Sequence, residues 1–511
     1  MNFRPKSEPV ENQTFRNTPP HTQKKLFNQN LIVSKSVFLV LILFTIMILS
    51  LCFQDTINYD EYFSMQWCRL GWKDLMQKLI SDVHPPLYYL ILKPLLDLTN
   101  ENMFCARILS AAAGIVVLWS GSLFMSRHFG KKSALFYACF LYLNPFMIQK
   151  ATEIRMYMLA GMFTIISGIC SYYILEEAAL LKNNMIRGVD PQTRSPLRKY
   201  WICFTVSSLS AAYTHYYALL VMCFLYAGLI IYFIFTKNKN GIISWLVCAA
   251  CTIILYLPWL PVALKQVSAV NQAYWISMPA SRLAPLRELF YSAIPYSEHV
   301  YLCTVMLLII FAFVRFIKEK SVDSYWTLMC SSALCGIMLF AIWYASHIRP
   351  VLISRYLIMA VCLCILGISN MVRFQNKYIT MLLCLFCCLV GGIRYRSAFL
   401  TQADRITTKT VDFITENSTS DDCIVYVNDG YGYLAHCVEY YFPDTEYIGI
   451  EKEGLSELAV ILSEADGSVW FFDDQGYMDD LQINITGYTA KNCGTYGFGT
   501  AGFKIYELLA D

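Results

Sequence analysis

Long apolar segments separated by short polar loops occupy the chain from residue 37 to residue 393. A membrane-crossing helix requires roughly 20 mostly apolar residues, because each residue adds about 1.5 Å along the helix axis. Trp201–Phe235 is long enough for two helices, which we expect to meet at the polar turn Thr214–Tyr217. The pattern predicts an all-α polytopic membrane protein with about eleven transmembrane helices. The predicted segments are Val37–Phe53, Phe104–Met125, Ser133–Ile148, Tyr157–Leu175, Trp201–Phe235, Ile242–Leu264, His299–Phe316, Trp326–Ala345, Leu357–Val372 and Tyr378–Ile393.

The stretch Leu87–Leu98 is apolar but too short to cross a membrane, since it has only about 12 residues and contains Lys93 and Pro94. We expect it to lie as a helix in the outer membrane interface, within a first outer loop that covers residues 54–103. Charge supports this interpretation. The basic loop Arg127–Lys132 should face the cytoplasm, and it does so only if Phe104–Met125 is the second span.

The same charge rule predicts the orientation of the chain. Residues 1–36 form a basic tail that should remain in the cytoplasm, and Val37–Phe53 lacks a small-residue cleavage pattern. We therefore expect an uncleaved signal anchor, a transmembrane domain over residues 37–398 and an extracytoplasmic domain over residues 399–511. The expected location is a bacterial plasma membrane.

Composition agrees with a membrane protein: 57% of the 511 residues are hydrophobic and 15% are charged, with a mean hydropathy of +0.45. Most of the 20 cysteines lie in apolar runs, where a free thiol behaves as a small hydrophobe, and no zinc-type spacing occurs. The tail after Arg405 is rich in acidic residues, so no nucleic-acid partner is expected. Its short β-like runs Cys423–Val427 and Ser468–Phe472, with helical patterns at Tyr431–Tyr441 and Gly454–Ser463, predict a small α/β domain.

Two features of the first outer loop are candidates for chemistry. Asp60 and Glu61 stand together shortly after the first span, where a carboxylate can act as a general base on an acceptor hydroxyl. The structural alternative is a helix N-terminus, where acidic residues are favoured. His84 precedes two prolines that suit the start of a helix, and its imidazole can bind a phosphate or an acceptor.

The predicted topology places further charged and polar residues at the same outer boundary of the membrane. Arginine binds phosphate through two parallel hydrogen bonds, and carboxylates suit proton abstraction and sugar recognition. An interfacial arginine that only extends its charge toward water is the structural alternative. The candidate substrate-binding residues are His84, Arg107, Lys150, Arg155, Tyr157, His215, Arg349, Arg355 and Tyr356, and Glu153 joins Asp60 and Glu61 as a candidate catalytic residue.

Several short motifs occur in a fixed order along the chain. They are Asp60-Glu61, His84-Pro85-Pro86-Leu87-Tyr88-Tyr89, Ala106-Arg107-Ile108-Leu109-Ser110, Phe129-Gly130, Asn144-Pro145-Phe146, Glu153-Ile154-Arg155-Met156-Tyr157, Arg349-Pro350 and Ser354-Arg355-Tyr356. In this combination the chain resembles the bacterial protein-mannosyltransferase-like branch of the GT-C membrane glycosyltransferases. The resemblance covers roughly residues 37–375 and is strongest over residues 59–157. The acidic tail is not part of it.

The resemblance implies an inverting transfer of a sugar from a polyprenyl-phosphate donor to a protein, glycan or lipid hydroxyl at the outer face. It implies Asp60 as the base, Glu153 as a second acidic group, and Arg107, Arg155 and Arg355 as phosphate-binding or structural residues. No cofactor is expected to be required. Adjacent carboxylates can hold Mg²⁺ or Mn²⁺, so metal dependence stays open.

Two other classes of protein share the apolar pattern. A polytopic transporter or flippase of a lipid-linked or carbohydrate substrate typically has internal repeats and charges near the bilayer midplane. The sequence shows no clear repeat, and its notable charges are predicted at one boundary. A scaffold that displays the acidic tail would not need the boundary arginines and carboxylates. The sequence therefore favours an enzyme.

Overall fold

The computed structural model describes residues 35–142, 144–186, 197–272, 298–348, 351–427, 432–451, 457–465, 467–474, 476, 478, 487–499 and 501–510. These residues form two compact units. The helical unit comprises the described residues of Met1–Leu49, Trp72–Leu95 and Arg107–Tyr395. The α/β unit comprises those of Ser50–Gly71, Leu96–Ala106 and Arg396–Asp511, and so combines part of the first outer loop with the acidic tail.

The chain is mainly helical, as the apolar pattern predicted. The helices are α1 Lys35–Ser50, α2 Tyr59–Arg69, α3 Trp72–Ser81, α4 Leu87–Leu98, α5 Met103–Phe129, α6 Lys131–Tyr142, α7 Pro145–Lys150, α8 Tyr157–Ile186, α9 Leu197–Thr214, α10 Tyr216–Thr236, α11 Lys239–Tyr256, α12 Leu260–Gln272, α13 Glu298–Glu319, α14 Val322–His347, α15 Ile358–Ser369, α16 Lys377–Asp404 and α17 Ile406–Asn417. Short 3-10 helices cover Leu51–Phe53, Ser354–Leu357 and Asn370–Phe374.

Eight helical segments within the described ranges are long and apolar enough to cross a membrane. They are Lys35–Phe53, Met103–Phe129, Tyr157–Leu181, Tyr216–Thr236, Lys239–Tyr256, Val322–Tyr344, Ser354–Phe374 and Lys377–Asn417. The protein is therefore a multi-pass membrane protein. The remaining predicted spans also contain helices, at α6, α9 and α13. The count of eleven stays a prediction.

The polar turn predicted inside Trp201–Phe235 is confirmed. Helix α9 ends at Thr214 and α10 begins at Tyr216, with His215 between them as the N-cap of α10. The predicted short helix of the first outer loop is also present, because α4 spans Leu87–Leu98 and has 12 residues. A helix of this length is too short to cross a membrane.

Helix α15 is buried along its whole length and lies at the centre of the helical unit. Gly367 allows its close approach to α14, since a Cβ built at that position would lie 2.8 Å from the Cβ of Cys330 and 3.2 Å from the carbonyl oxygen of Thr327. Small residues at helix interfaces commonly permit such approaches in membrane proteins. The close contact between α14 and α15 therefore depends on glycine at this position.

The tail forms the predicted small α/β domain. Its strands are β1 Cys423–Val427, β2 Glu446–Ile450, β3 Val469–Asp473, β4 Tyr488–Phe498 and β5 Ala501–Ala510, and its helices after α17 are α18 Tyr433–Tyr441 and α19 Leu458–Glu464. The sheet order is β2-β1-β3-β5-β4, with β2, β1 and β3 parallel and β5 antiparallel to both neighbours. Strands β1 and β3 were predicted at these positions, whereas β2, β4 and β5 were not.

The sheet of the α/β unit is covered by apolar residues on both faces. Alternate side chains of β1 enter different clusters: Ile424 and Tyr426 pack with α18, whereas Val425 and Val427 pack with α19. Both β1 and β3 are buried at every position. This explains why these two strands appear as continuous apolar runs in the sequence.

Candidate functional site

Asp60 and Glu61 occupy the first turn of α2, in the α/β unit. The helix begins with a capping box, in which the Asn58 side chain accepts from the Glu61 amide at 3.0 Å and Glu61 Oε2 accepts from the Asn58 amide at 2.9 Å. Glu61 is 1% exposed, whereas Asp60 is half-buried. The cap thus engages the carboxylate of Glu61.

Glu153 and Arg155 lie in a turn that joins α7 to α8 in the helical unit. Every residue from Ala151 to Met156 is buried, and none of them belongs to a helix or strand. The Arg155 amide donates to the Glu153 carbonyl at 2.7 Å, which tightens the turn. A buried irregular segment needs side-chain partners for its backbone carbonyls.

Helix α5 supplies those partners. Arg107 Nη1 donates to the Thr152 carbonyl at 3.0 Å. One turn further along the helix, Ser110 Oγ lies 2.6 Å from the Glu153 carbonyl and 3.3 Å from that of Arg155. Arg107 and Ser110 are almost fully buried, so these contacts are shielded from water. Two residues of α5 therefore fix the backbone that carries the candidate carboxylate.

The side chains of the turn are paired with charged or polar neighbours. Lys150 Nζ lies 2.7 Å from Glu153 Oε2 and 2.9 Å from Oε1, so the ammonium bridges both carboxylate oxygens. Arg155 Nη1 donates to the hydroxyl of Tyr89 at 3.2 Å. Glu153 and Arg155 are each 5% exposed. A buried ion pair of this kind is sensitive to the loss of either partner.

His215 connects this region to the turn between α9 and α10. Its Nδ1 accepts from the Tyr217 amide at 3.1 Å, so the neutral ring carries its proton on Nε2. That Nε2 is buried and has no hydrogen-bond partner among the residues that the structure describes. Burial lowers the pKa of His215 well below its usual value, and the nearby charges of His84, Arg155 and Arg355 lower it further. His215 is therefore a neutral donor at physiological pH.

Aromatic rings surround His215. The ring centroids of Tyr356 and Tyr157 lie 5.1 Å and 5.8 Å from it, and the ring of His84 lies 6.1 Å away. Tyr217, whose amide donates to His215, donates its hydroxyl to the Val351 carbonyl at 2.7 Å. These contacts join residues from four separate segments of the helical unit.

His84 has an acidic partner that the sequence interpretation missed. His84 Nδ1 lies 2.8 Å from Asp82 Oδ2, and both side chains are mostly buried. Burial favours a raised pKa for Asp82, but the charge and hydrogen bond of His84, with help from Arg155, hold that pKa below its usual value. An Asp–His pair orients the imidazole and fixes its tautomer.

The helical unit thus brings together most of the predicted substrate-binding residues. Those with contacts or electrostatic effects in this cluster are His84, Arg107, Lys150, Arg155, Tyr157, His215, Arg355 and Tyr356, and the candidate catalytic residue Glu153 joins them. Asp60 and Glu61 belong to the other unit. Arg349 lies outside the described residues. The sequence interpretation did not single out Asp82 or assign roles to Ser110 and Tyr89. The last two stand inside the quoted motifs, and Asp82 is two residues before His84.

Within the described ranges, no group of three or more His, Cys, Asp or Glu side chains is arranged to hold a metal ion. The described cysteines are unbridged, including Cys423, Cys437 and Cys493 of the tail.

Comparison with known proteins gives the fold a name. No protein-family model matches the sequence, and no curated protein matches it. The structure is similar to the crystal structure of ArnT from Cupriavidus metallidurans in the apo state, with a TM-score of 0.54 and 10% sequence identity over 92% of this chain and 97% of that chain. ArnT belongs to the GT-C superfamily of glycosyltransferases, so this chain has the GT-C fold.

Two further structures align at lower scores. ArnT from Cupriavidus metallidurans bound to undecaprenyl phosphate gives a TM-score of 0.39 and 12% identity over 93% of this chain and 98% of that chain. The archaeal oligosaccharyltransferase AglB from Archaeoglobus fulgidus, in complex with an inhibitory peptide and a dolichol-phosphate, gives a TM-score of 0.45 and 11% identity over 86% and 69%.

Proposed function

We propose that this protein is a membrane glycosyltransferase that transfers a sugar from a polyprenyl-phosphate donor to an acceptor hydroxyl at the outer face of the membrane, with inversion. The observation that carries the proposal is the buried cluster around Arg155 and Glu153, in which cations, a carboxylate and two histidines from separate segments converge on one region of a GT-C fold. Fold alone does not define an activity, so the argument rests on the chemistry of this cluster.

The cluster suits a phosphate-bearing substrate. The charges of Arg155 and Arg355 both act on His215, which indicates that two guanidinium groups lie near one buried imidazole. A phosphate oxygen that gains negative charge as the sugar leaves is stabilised by such preorganised cations. A neutral His215 adds an Nε2–H donor to the same environment. We propose that Arg155, Arg355 and His215 bind the donor phosphate, and that Lys150 and Arg107 maintain the turn around it.

The proposed base is Asp60. Its carboxylate takes the proton of the acceptor hydroxyl while that oxygen forms a bond to the anomeric carbon of the sugar. The bond between this carbon and the phosphate oxygen breaks at the same time, and the polyprenyl phosphate leaves with the electron pair. Glu61 is less suited to this role, because its carboxylate caps α2. Glu153 is proposed to bind a sugar hydroxyl or to maintain the charge of the cluster.

The test is transfer by the full-length protein in lipid nanodiscs, with undecaprenyl phosphate linked to radiolabelled hexoses and pentoses as donors. Mass spectrometry of surface glycans in cells with and without the gene identifies the acceptor class. Asp60→Asn should lower the transfer rate at least about 100-fold, since a general base contributes 10²–10⁴-fold, roughly, to a rate. Asp74→Asn is the matched control, because Asp74 is an exposed carboxylate in the first turn of α3.

Full transfer by Asp60→Asn would remove Asp60 as the base. A wild-type protein that alters no surface glycan and transfers no sugar from any of these donors, yet moves an undecaprenyl-phosphate sugar across the membrane of a vesicle, would replace the enzyme with the transporter alternative.

A further inference from the structure

We infer that the acidic C-terminal domain positions the candidate base, with α18 and the ends of the sheet holding the helix that carries Asp60. The inference rests on the proposed function for Asp60, and it assigns Glu439, Tyr433 and Tyr441 as positioning residues. All of the contacts that support it lie within the α/β unit.

The first group of contacts joins the side of α2 to α18. The hydroxyl of Tyr62 donates to Glu439 Oε2. The Tyr62 ring also stacks on His436, with ring centroids 4.4 Å apart, and the rings of Tyr59 and Phe63 lie 5.1 Å and 5.4 Å from the same imidazole. Residues 59, 62 and 63 share one face of a helix. That face is therefore enclosed by a single helix of the tail.

The end of α2 has a contact of its own. The guanidinium of Arg69 lies 4.8 Å from the ring centroid of Tyr440 and forms an ion pair with Glu101 at 2.7 Å. A cation over an aromatic face contributes favourably at such a distance. Both ends of the α2 helix are thus attached within the α/β unit.

A second group of contacts holds the three residues before the α2 cap. Asp55 Oδ2 accepts from the amide and the hydroxyl of Thr408, at 2.9 Å and 2.8 Å. The Asp55 carbonyl accepts from the hydroxyl of Tyr441 at 3.0 Å, and the Ile57 carbonyl accepts from that of Tyr433 at 3.2 Å. The tail therefore binds backbone carbonyls on the approach to α2, which restricts the direction in which the helix starts.

The sheet also approaches this segment. Gly499 stands in the turn between β4 and β5 with a φ of +62°, and its amide donates to Thr407 at 3.0 Å. A Cβ built on Gly499 would lie 2.9 Å from Thr56 Oγ1. Glycine is required here for its left-handed backbone and for the space that Thr56 occupies. The turn between β4 and β5 therefore packs directly against Thr56, in the segment that precedes Asp60.

Protonation favours the contact between Tyr62 and Glu439. Burial and the adjacent Glu439 carboxylate raise the pKa of Tyr62 above its usual value, so its hydroxyl keeps its proton and donates. The helix face that the tail encloses begins at Tyr59, the residue before Asp60. A general base must be held within a fraction of an ångström of its productive position, so a support of this kind acts on the rate of the chemical step.

The test uses the full-length protein in nanodiscs and the variant Tyr433→Phe/Glu439→Gln. It removes the hydroxyl that Tyr433 donates to the Ile57 carbonyl and replaces the carboxylate acceptor of Tyr62 by a neutral, weaker amide acceptor, with little change in volume. Hydrogen–deuterium exchange of peptides covering residues 55–69 should become about tenfold faster or more, corresponding to the loss of one or two hydrogen bonds. Peptides covering β1 and β3 should exchange as in the wild type, which shows that the domain remains folded. Glu464→Gln, in α19, is the matched control.

Transfer from the undecaprenyl-phosphate sugars defined above is the second measurement. The double variant should lose about tenfold in kcat, while KM for the donor stays within about twofold, because the donor cations lie in the helical unit. Unchanged exchange at residues 55–69 would overturn the inference. Faster exchange with an unchanged kcat would also overturn it, if Asp60→Asn has abolished transfer. If Asp60→Asn remains fully active, the proposed function fails instead, and the exchange result alone decides whether the tail holds α2.

The single variants Tyr433→Phe and Glu439→Gln keep the test decisive if the double variant fails to fold. The first removes one hydrogen bond and the second weakens one, so each should produce a smaller increase in exchange at residues 55–69 than the pair. A global increase in exchange that includes β1 and β3 in both single variants would mean that the contacts stabilise the domain as a whole, which contradicts a positioning role.

Discussion

Two of the three acidic candidates, Asp60 and Glu153, are held in opposite ways. Asp60 is half-buried at the start of a regular helix, and the supports of that helix come from side chains some 377 positions away in the sequence. Glu153 is buried in an irregular turn, and its supports come from Arg107 and Ser110, which are 43–45 positions away. One carboxylate is carried by a regular helix whose supports are distant in the sequence, and the other by an irregular segment whose supports are closer in the sequence.

This difference leads us to expect different roles for the two carboxylates. Replacing the buried Glu153 carboxylate destabilises the folded state, because the half-buried Lys150 ammonium loses a charged partner that it contacts through both oxygens. Replacing the half-buried Asp60 carboxylate should change the free energy of unfolding little, because water and the helix N-terminus can solvate the new side chain. Reactivity is therefore expected to reside with Asp60 and structural sensitivity with Glu153.

The largest expected effect separates the two residues by stability. Glu153→Gln should lower the free energy of unfolding by about 2 kcal/mol, since the half-buried Lys150 ammonium loses its charged partner. Asp60→Asn should lower it by less than about 1 kcal/mol. Unfolding by SDS in mixed micelles measures both. Equal losses in the two variants would contradict the expectation that Glu153 contributes more to stability than Asp60.

The second prediction concerns the buried cluster around Glu153, where the stability of the protein should depend on pH through His215. The folded state keeps the pKa of His215 well below 6.5, because of burial and the neighbouring charges of His84, Arg155 and Arg355. Below about pH 6.5 the unfolded chain therefore binds a proton that the folded chain does not, and stability falls as pH falls. The loss should reach about 1.4 kcal/mol for each pH unit below 6.5, until the folded pKa is reached.

The variant His215→Asn is the control for this titration, because asparagine is a good N-cap and does not titrate. The wild type should lose about 1.4 kcal/mol more than His215→Asn between pH 7.5 and pH 5.5. Parallel losses in the two proteins would show that His215 is not the group responsible.

The smallest expected effect concerns the α2 cap. Glu61→Ala removes one half of the capping box and should cost about 1 kcal/mol of local stability. Hydrogen exchange in residues 59–63 should rise while residues 64–69 change less. Transfer activity should fall less than in Asp60→Asn. A loss of transfer as deep as that of Asp60→Asn, with unchanged exchange, would instead make Glu61 the reactive carboxylate.

Much of the helical architecture followed from apolar length and from the positions of basic loops. The turn at His215 was predictable because Trp201–Phe235 is too long for one span and has polar residues near its middle. Strands β1 and β3 were predictable because buried parallel strands are continuously apolar. Strand β4 was not, since its positions are largely exposed or half-buried and include a glycine at a register shift.

The candidate site was predictable in its residue types but not in its pairings. Motif order pointed to Arg107, Glu153 and Arg155, yet nothing local shows that Arg107 would bind the carbonyl of Thr152. That contact depends on how α5 packs beside α8, which periodicity does not encode. The pairing of Tyr62 with Glu439 is still harder to predict from the sequence, because the two residues are 377 positions apart.

The contacts between α2 and the tail have a consequence for the order in which the protein is made. Tyr62 and Glu439 are 377 positions apart, so a ribosome that adds about 5–20 residues per second needs roughly 20–75 seconds to pass from one to the other. Throughout that interval the helix with the candidate base has been synthesised without the partner that holds it. Assembly of this part of the protein is therefore a late event, and a chain truncated before α18 should be inserted in the membrane yet remain inactive.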